Sequence, residues 1–179
     1  MNLSKNYTRD DILTFIKTKD SVQLANLLIE RFRERYIIPF EYKETEYVKN
    51  HKNGFAIVAC LCLLIESIIL YEEGLAKLVG KHEPYYESFF KTQSKFLSEL
   101  GGIDFYNNIR CGILHQGETL NGWKVRRDSS QFIYDKTINA NIFLQRMNAL
   151  LLNMKDELGK TPIDSVRWKN VITKLQMIN

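Results

Sequence analysis

The chain has 179 residues, enough for one domain with a substantial core, and 45% apolar with 26% charged residues excludes a disordered protein. Lysine plus arginine (25) exceeds aspartate plus glutamate (21) by four, which permits an anionic partner without demanding one. The polar N-terminus is unlike a signal peptide, and the three cysteines on apolar segments, Cys60, Cys62 and Cys111, indicate reduced thiols. We therefore expect a cytoplasmic protein.

The first half of the chain has the pattern of helices. Thr8 predicts the cap of a short helix to about residue 17, and Asp20 the cap of a second helix that Pro39 closes. Residues 40–50 are predicted to form a loop or the first turn of the next helix. The longest helix is expected at 51–78, apolar on nearly all sides, so we interpret it as a core helix rather than a membrane span.

The second half continues the helical pattern with one interruption. The predicted elements, in chain order, are a helix from Pro84 to about 100, a break at Gly101-Gly102, a helix at about 103–116, a β-hairpin formed by 123–126 and 131–134, a helix from Asn139 or Asn141 to Gly159, and a terminal helix at 162–177. The sequence thus predicts a single all-α domain over residues 1–179, an antiparallel bundle of five to seven helices with one small β-hairpin insertion.

The segment RCGILH (110–115) carries two chemically active side chains at a fixed spacing. Five residues advance an α-helix by about 7.5 Å and about 140°, so Arg110 and His115 do not share one stripe. They can still converge, because the arginine side chain is long and Gly117 predicts a helix end directly after His115. A guanidinium that holds a phosphate and an imidazole that moves a proton suffice for RNA cleavage without a metal ion.

This Arg-x4-His segment resembles the motif of the HEPN superfamily, and the upstream apolar helix with its single acid, Glu66, is also found in many members. The resemblance covers about residues 20–158. It implies a helical bundle that forms a homodimer, with two motifs facing one cleft. It also implies a metal-independent ribonuclease of the toxin–antitoxin or phage-defence kind, with RNA as substrate and an antitoxin or inhibitor as a possible partner. The residue after the motif arginine is often Asn, Asp or His in the family, and here it is Cys111.

Glu66 and Arg110 are charges in otherwise apolar helices, so we expect them to pair. The predicted catalytic residues are Arg110, His115 and Glu66. The predicted substrate-binding residues lie beside the motif or in the basic hairpin: Asn107, Asn108, Lys124, Arg126 and Arg127. Tyr106 and Trp123 are candidates for base stacking or for core packing.

Several alternatives stay open at this point. The Glu66–Arg110 pair is equally compatible with a structural ion pair, and His115 with a histidine that bonds a helix-terminal carbonyl. The chain would then be a non-catalytic HEPN-like module that binds RNA, a nucleotide or a protein, or a structural dimer. Cys111 lies one turn before His115, but no oxyanion-hole signal accompanies a thiol nucleophile there. We predict neither a metal site nor a cofactor, and we expect His51 and His82 to be solvated.

Overall fold

The computed structural model describes residues 2–41 and 52–178. In this part of the chain the α-helices, in chain order, are α1 (Arg9–Lys17), α2 (Ser21–Phe32), α3 (Gly54–Glu73), α4 (Glu83–Thr92), α5 (Ser94–Leu97), α6 (Gly112–Gln116), α7 (Ala140–Lys160) and α8 (Val166–Gln176). A π-helical turn (Arg33–Ile37) continues α2, and a second π-helical segment (Tyr106–Cys111) leads directly into α6. The predicted mainly helical fold with a small β insertion is confirmed, but the described residues form eight α-helices where five to seven helices were predicted.

Helix α3 lies at the centre of the fold. It packs against α4, α6, α7 and α8, and α7 also packs along α2. By length and composition α3 could cross a membrane, but ten of its twenty residues are buried against the other helices, as in the core helix of a soluble protein. Glu66 is the one carboxylate in the middle of this apolar helix, and it is partly buried against Arg110 and Tyr86.

Several helix ends follow the predicted capping signals. The carboxylate of Asp11 accepts hydrogen bonds from the backbone nitrogen and the hydroxyl of Thr8, at 2.6 and 2.7 Å. The side chain of Asp20 caps α2, and that of Asn139 caps α7. Gly117 adopts a left-handed conformation (φ +73°) and ends α6, as predicted. The end of the motif helix is therefore a property of the local sequence.

Other boundaries differ from the prediction. Helix α3 ends at Glu73, five residues before the predicted end at 78, because Gly74 takes a left-handed conformation (φ +67°). The last helix begins at Val166 instead of residue 162, because the amide of Thr161 still bonds to α7 carbonyls and Ser165 caps the new helix. Helix α7 continues through the predicted stop at Gly159. The loop prediction for 40–50 falls, from residue 42 onward, outside the described residues, as does His51.

The small sheet has three strands, β1 (Lys124–Arg126), β2 (Ile133–Tyr134) and β3 (Thr137–Asn139), in the order β1-β3-β2. The two predicted strands do not pair with each other: β3 lies between them, parallel to β1 and antiparallel to β2. The hairpin is formed by β2 and β3, whose two-residue turn has positive φ at Asp135 and Lys136. This turn lacks the glycine that usually signals such a hairpin, which explains why the sequence did not indicate it.

The helix that carries the motif ends in a tight return of the chain, here called the return loop (117–123). The amide of Leu120 donates to the carbonyl of Asn108 (2.8 Å), while the amide of Gly112 bonds to the carbonyl of Ile109. A Cβ atom at Gly112 would overlap the carbonyl oxygen of Glu118. A glycine inside a helix often lets a partner helix cross closely, but here the close approach is made by this loop. Gly112 therefore gives no support for a dimer.

We expect Gly112→Ala to destabilise the protein, because the added methyl group meets backbone atoms that can move only if the return loop shifts. Overpacking of this kind costs about 1–3 kcal/mol. The measurement is the free energy of unfolding in urea, with Gly102→Ala as the matched control, since a Cβ at Gly102 has no atom within 4 Å. Equal stabilities of the two variants would contradict this packing.

Candidate functional site

The motif arginine is the centre of a polar cluster between α3, α4 and the motif helix. Nη2 of Arg110 donates to Oε2 of Glu66 at 2.7 Å, which confirms the predicted contact between the two helices. Nη1 of Arg110 lies 3.1 Å from Nε2 of His115. The arginine side chain is 11% exposed and that of Glu66 is 24% exposed, so their pair is largely shielded from water. One guanidinium thus joins the other two predicted catalytic residues.

The length of the Arg110 side chain brings its guanidinium to His115. Arg110 lies in the π-helical segment, and α6 begins two residues later, at Gly112. Only Arg110 and Cys111 of this span belong to the π-helical segment, and an α-helix such as the one that follows sets residues five apart about 140° around its axis. The long arginine side chain covers the remaining distance. Such π-helical segments occur frequently at functional sites, because the widened turn re-aims side chains.

The hydrogen bond between Arg110 and His115 fixes the state of the imidazole. A guanidinium can only donate hydrogen bonds, so Nε2 of His115 must be the acceptor. The imidazole is therefore neutral, with its proton on Nδ1, and the lone pair of Nε2 points at Arg110. His115 itself is exposed. Its ring can exchange the arginine for a substrate atom without unpacking the core.

Two tyrosines complete the surroundings of the arginine. The hydroxyl of Tyr86 lies 3.3 Å from Oε2 of Glu66 and 3.4 Å from the carbonyl oxygen of Cys62, and burial raises its pKa, so it stays protonated and donates. The guanidinium of Arg110 lies over the ring of Tyr106, 5.5 Å from its centre. Tyr106 was a candidate for base stacking, and the structure places it beside the guanidinium. No sequence signal pointed to Tyr86.

The charge on Arg110 is permanent in this environment. Burial opposes the charged form, but the hydrogen bonds with Glu66 and Tyr86 and the negative charge of Glu66 outweigh it and raise the pKa of Arg110. Nε of Arg110 is buried and has no hydrogen-bond partner among the described residues. The guanidinium is thus firmly charged, and its Nε–H group is the part of it that makes no hydrogen bond to the described residues.

The predicted substrate-binding residues separate into two sets. Asn108 is buried, and its side-chain oxygen accepts a hydrogen bond from Asn121 at 2.6 Å, so it holds the return loop. Arg127 bonds to Asn141 and Asn53 and packs against the start of α3, about 18 Å along the helix from Glu66. These two residues serve the fold.

The remaining candidates lie at the surface. Asn107 is exposed and donates to Asp104 (3.0 Å) and to Glu83 (3.3 Å). Lys124 is exposed, and Arg126 forms an exposed ion pair with Asp128 at 2.8 Å, which a stronger anion can replace. These three side chains can meet a ligand.

Two aromatic side chains near the motif, Trp123 and His82, are half-buried. Trp123 is half-buried and packs against the core, in agreement with the packing alternative. His82 was expected to be solvated, but it is half-buried and its ring meets that of Tyr106 edge-on, with centres 6.3 Å apart. The turn before α4 therefore folds back onto the site, a long-range contact that the local sequence does not reveal.

The described part of the chain contains no cluster of three histidine, cysteine, aspartate or glutamate side chains able to hold a metal ion. The described cysteines are free thiols, and burial raises the pKa of Cys62, so this thiol is inert. The site offers one permanent cation, one neutral imidazole and one carboxylate. This set can bind an anion and accept a proton.

No protein-family model matches the chain, and the searches of curated proteins and of solved structures also find no match. The resemblance to the HEPN superfamily therefore depends on the motif and its context.

We expect Glu66→Gln to destabilise the fold, because Arg110 would keep its charge but lose its counter-charge. Weakening a hydrogen-bonded partner of a charged, largely buried group costs about 1–3 kcal/mol. The measurement is denaturant unfolding of Glu66→Gln beside Glu87→Gln, which changes an exposed glutamate on α4. If both variants unfold like the wild type, Glu66 does not balance Arg110.

Proposed function

We propose that the protein is a HEPN-like endoribonuclease that cleaves single-stranded RNA without a metal ion. The observation that supports this most is the double engagement of Arg110, which bonds to Glu66 and to His115 through different nitrogens. A cation that reaches both an anchoring carboxylate and a proton acceptor can hold a phosphate next to that acceptor.

In this proposal a phosphate oxygen of the RNA replaces His115 on Nη1 of Arg110. The exchange is favourable because the phosphate is negatively charged and the imidazole is neutral. Nε2 of His115 is then free and takes the proton of the neighbouring 2′-hydroxyl, whose oxygen attacks the phosphorus. The bond from phosphorus to the 5′-oxygen breaks, and the products are a 2′,3′-cyclic phosphate and a 5′-hydroxyl end. Glu66 keeps Arg110 in place through these steps.

The leaving 5′-oxygen needs a proton. We propose that the protein forms a twofold homodimer, so that His115 of a second copy shares the cleft, with its Nε2 protonated and released from its own Arg110, and supplies this proton. The exposed residues Asn107, Lys124 and Arg126 would contact the RNA on its way to the cleft. A location in the cytoplasm, a role in a toxin–antitoxin or phage-defence system, and an antitoxin or inhibitor partner belong to the same proposal.

A second candidate function is a non-catalytic module that binds RNA, a nucleotide or a protein. One observation favours it: the arginine side chain is 11% exposed and already paired with Glu66, as in an ion pair that fixes packing. Cys111 in the position after the arginine agrees with this alternative. The two functions differ in whether the wild type cleaves RNA.

We expect the wild type to cleave labelled single-stranded RNA in the presence of EDTA and to leave DNA intact, because DNA lacks the attacking 2′-hydroxyl. His115→Ala should lower the rate by roughly a hundredfold or more, since proton transfer by a positioned side chain contributes about 10²–10⁴-fold. Arg110→Ala should have a loss of similar size, through lost phosphate stabilisation.

The matched control is Lys124→Ala, which removes an exposed cation from β1 and should weaken binding without abolishing cleavage. Cleavage by His115→Ala at the wild-type rate would identify a contaminating nuclease. RNA binding by the wild type without any cleavage would support the binding module instead.

We expect a mass of two chains in light scattering at micromolar concentration, since isologous pairing is the commonest oligomer geometry. A monomer in light scattering that still cleaves RNA would contradict the shared cleft.

A further inference from the structure

Arg31 on α2 is a buried cation in a second polar cluster. Its residue is 7% exposed, and Nη1 donates to the carbonyl oxygen of Leu3 at 3.0 Å. Among the residues that the structure describes, no carboxylate forms an ion pair with it, although a buried charge is costly unless it is balanced. Two other partly buried arginines do pair with glutamates: Arg110 with Glu66, and Arg167 with Glu72.

The groups around Arg31 add positive charge and hydroxyls. Arg35 follows one turn later, and together with burial its charge lowers the pKa of Arg31. The hydroxyl of Tyr71 lies beside the guanidinium of Arg31, and burial raises the pKa of this tyrosine. The hydroxyl of Tyr36 lies 3.4 Å from that of Ser67. We call these five residues the Arg31 cluster.

The π-helical turn Arg33–Ile37 carries the solvent-facing part of this cluster. Tyr71 and Arg31 form the buried floor, whereas Arg35 is exposed and Tyr36 is half-buried. Arg33, on the same turn, donates a hydrogen bond from Nε to Oδ1 of Asn148 (2.9 Å). Its charge is already balanced by the nearby carboxylate of Glu41. Arg35 is therefore the member of the cluster that a ligand in solution reaches first, with the buried guanidinium of Arg31 one helical turn before it.

We propose that the Arg31 cluster binds a phosphate group, either of a small free phosphate compound or of an RNA backbone. Phosphate supplies the missing negative charge, and its oxygens accept hydrogen bonds from both guanidinium and hydroxyl donors. The cluster and the motif site share helix α3, where Ser67 directly follows Glu66. An RNA strand held at Arg110 could thus place a second phosphate here, but the proposal does not depend on cleavage.

The test compares thermal unfolding in sodium phosphate with that in sodium chloride of equal ionic strength. A ligand that binds only the folded state raises the melting temperature. We expect phosphate to raise the melting temperature of the wild type above its value in chloride. Arg35→Gln should weaken phosphate binding by about tenfold or more, since it removes a charged hydrogen-bond donor. Arg35 is exposed, so this variant should still fold.

Two control variants locate the phosphate. Arg33→Gln removes the same charge from the same turn but should keep the phosphate effect, because Arg33 points to Asn148 and Glu41. Arg110→Ala should also keep it. If Arg110→Ala abolishes the effect and Arg35→Gln does not, phosphate binds at the motif site, which supports the proposed function and overturns the Arg31 site. Equal melting temperatures in phosphate and chloride would also overturn it.

A last arm separates the two sources of the phosphate group. Uncleavable 2′-O-methyl RNA is titrated into the wild type and Arg35→Gln, and the affinities are compared with those for inorganic phosphate. Weaker binding of both ligands by Arg35→Gln assigns the site to an RNA backbone as well. A loss for inorganic phosphate alone assigns it to a small phosphate compound, and a loss for neither overturns the proposal.

Discussion

A permanent cation inside an apolar helical fold has to be balanced, and the balance of Arg110 organises the region around the motif. Glu66 is placed opposite it by α3, Tyr86 supports Glu66 from α4, and the π-helical segment aims Arg110 at both. Because the arginine is already anchored on one side by Glu66, its other nitrogen is available for His115. An arginine held in this way would lose little freedom on binding a phosphate, which is what the proposed function requires of it.

The pairing of Glu66 with Arg110 could be predicted because each is a charge in an apolar helix, and such charges need partners. The caps at Asp20 and Asn139 and the helix end at Gly117 could also be predicted, since each depends on local chemistry. The contact with Tyr86 and the folding of His82 onto Tyr106 could not, because they depend on how distant segments pack. The π-helical winding depends on the same kind of packing.

Gly112 shows that the sequence can indicate a close contact without identifying the group that makes it. Gly112 in a helix costs about 1 kcal/mol relative to alanine, which indicates a close approach, but the sequence cannot say of what. The approaching group is the chain itself, at Glu118, and Asn108 ties the same loop through Asn121. Asn108 was predicted to bind substrate because it lies next to Arg110. Asn108 is buried, however, so its position near Arg110 in the sequence did not reveal whether it holds the return loop or faces a ligand.

The account depends most on the hydrogen bond from Arg110 to Nε2 of His115, and ¹⁵N NMR of the histidine side chains tests it directly. In ¹⁵N–¹H correlation spectra at about pH 8.5, where ordinary imidazoles are neutral, His115 should show a protonated Nδ1 and an unprotonated Nε2. Arg110→Ala should remove this preference, and Arg110→Lys, which keeps a donor, should restore part of it. A proton on Nε2 in the wild type would contradict the arrangement in which one guanidinium joins Glu66 to the proton acceptor.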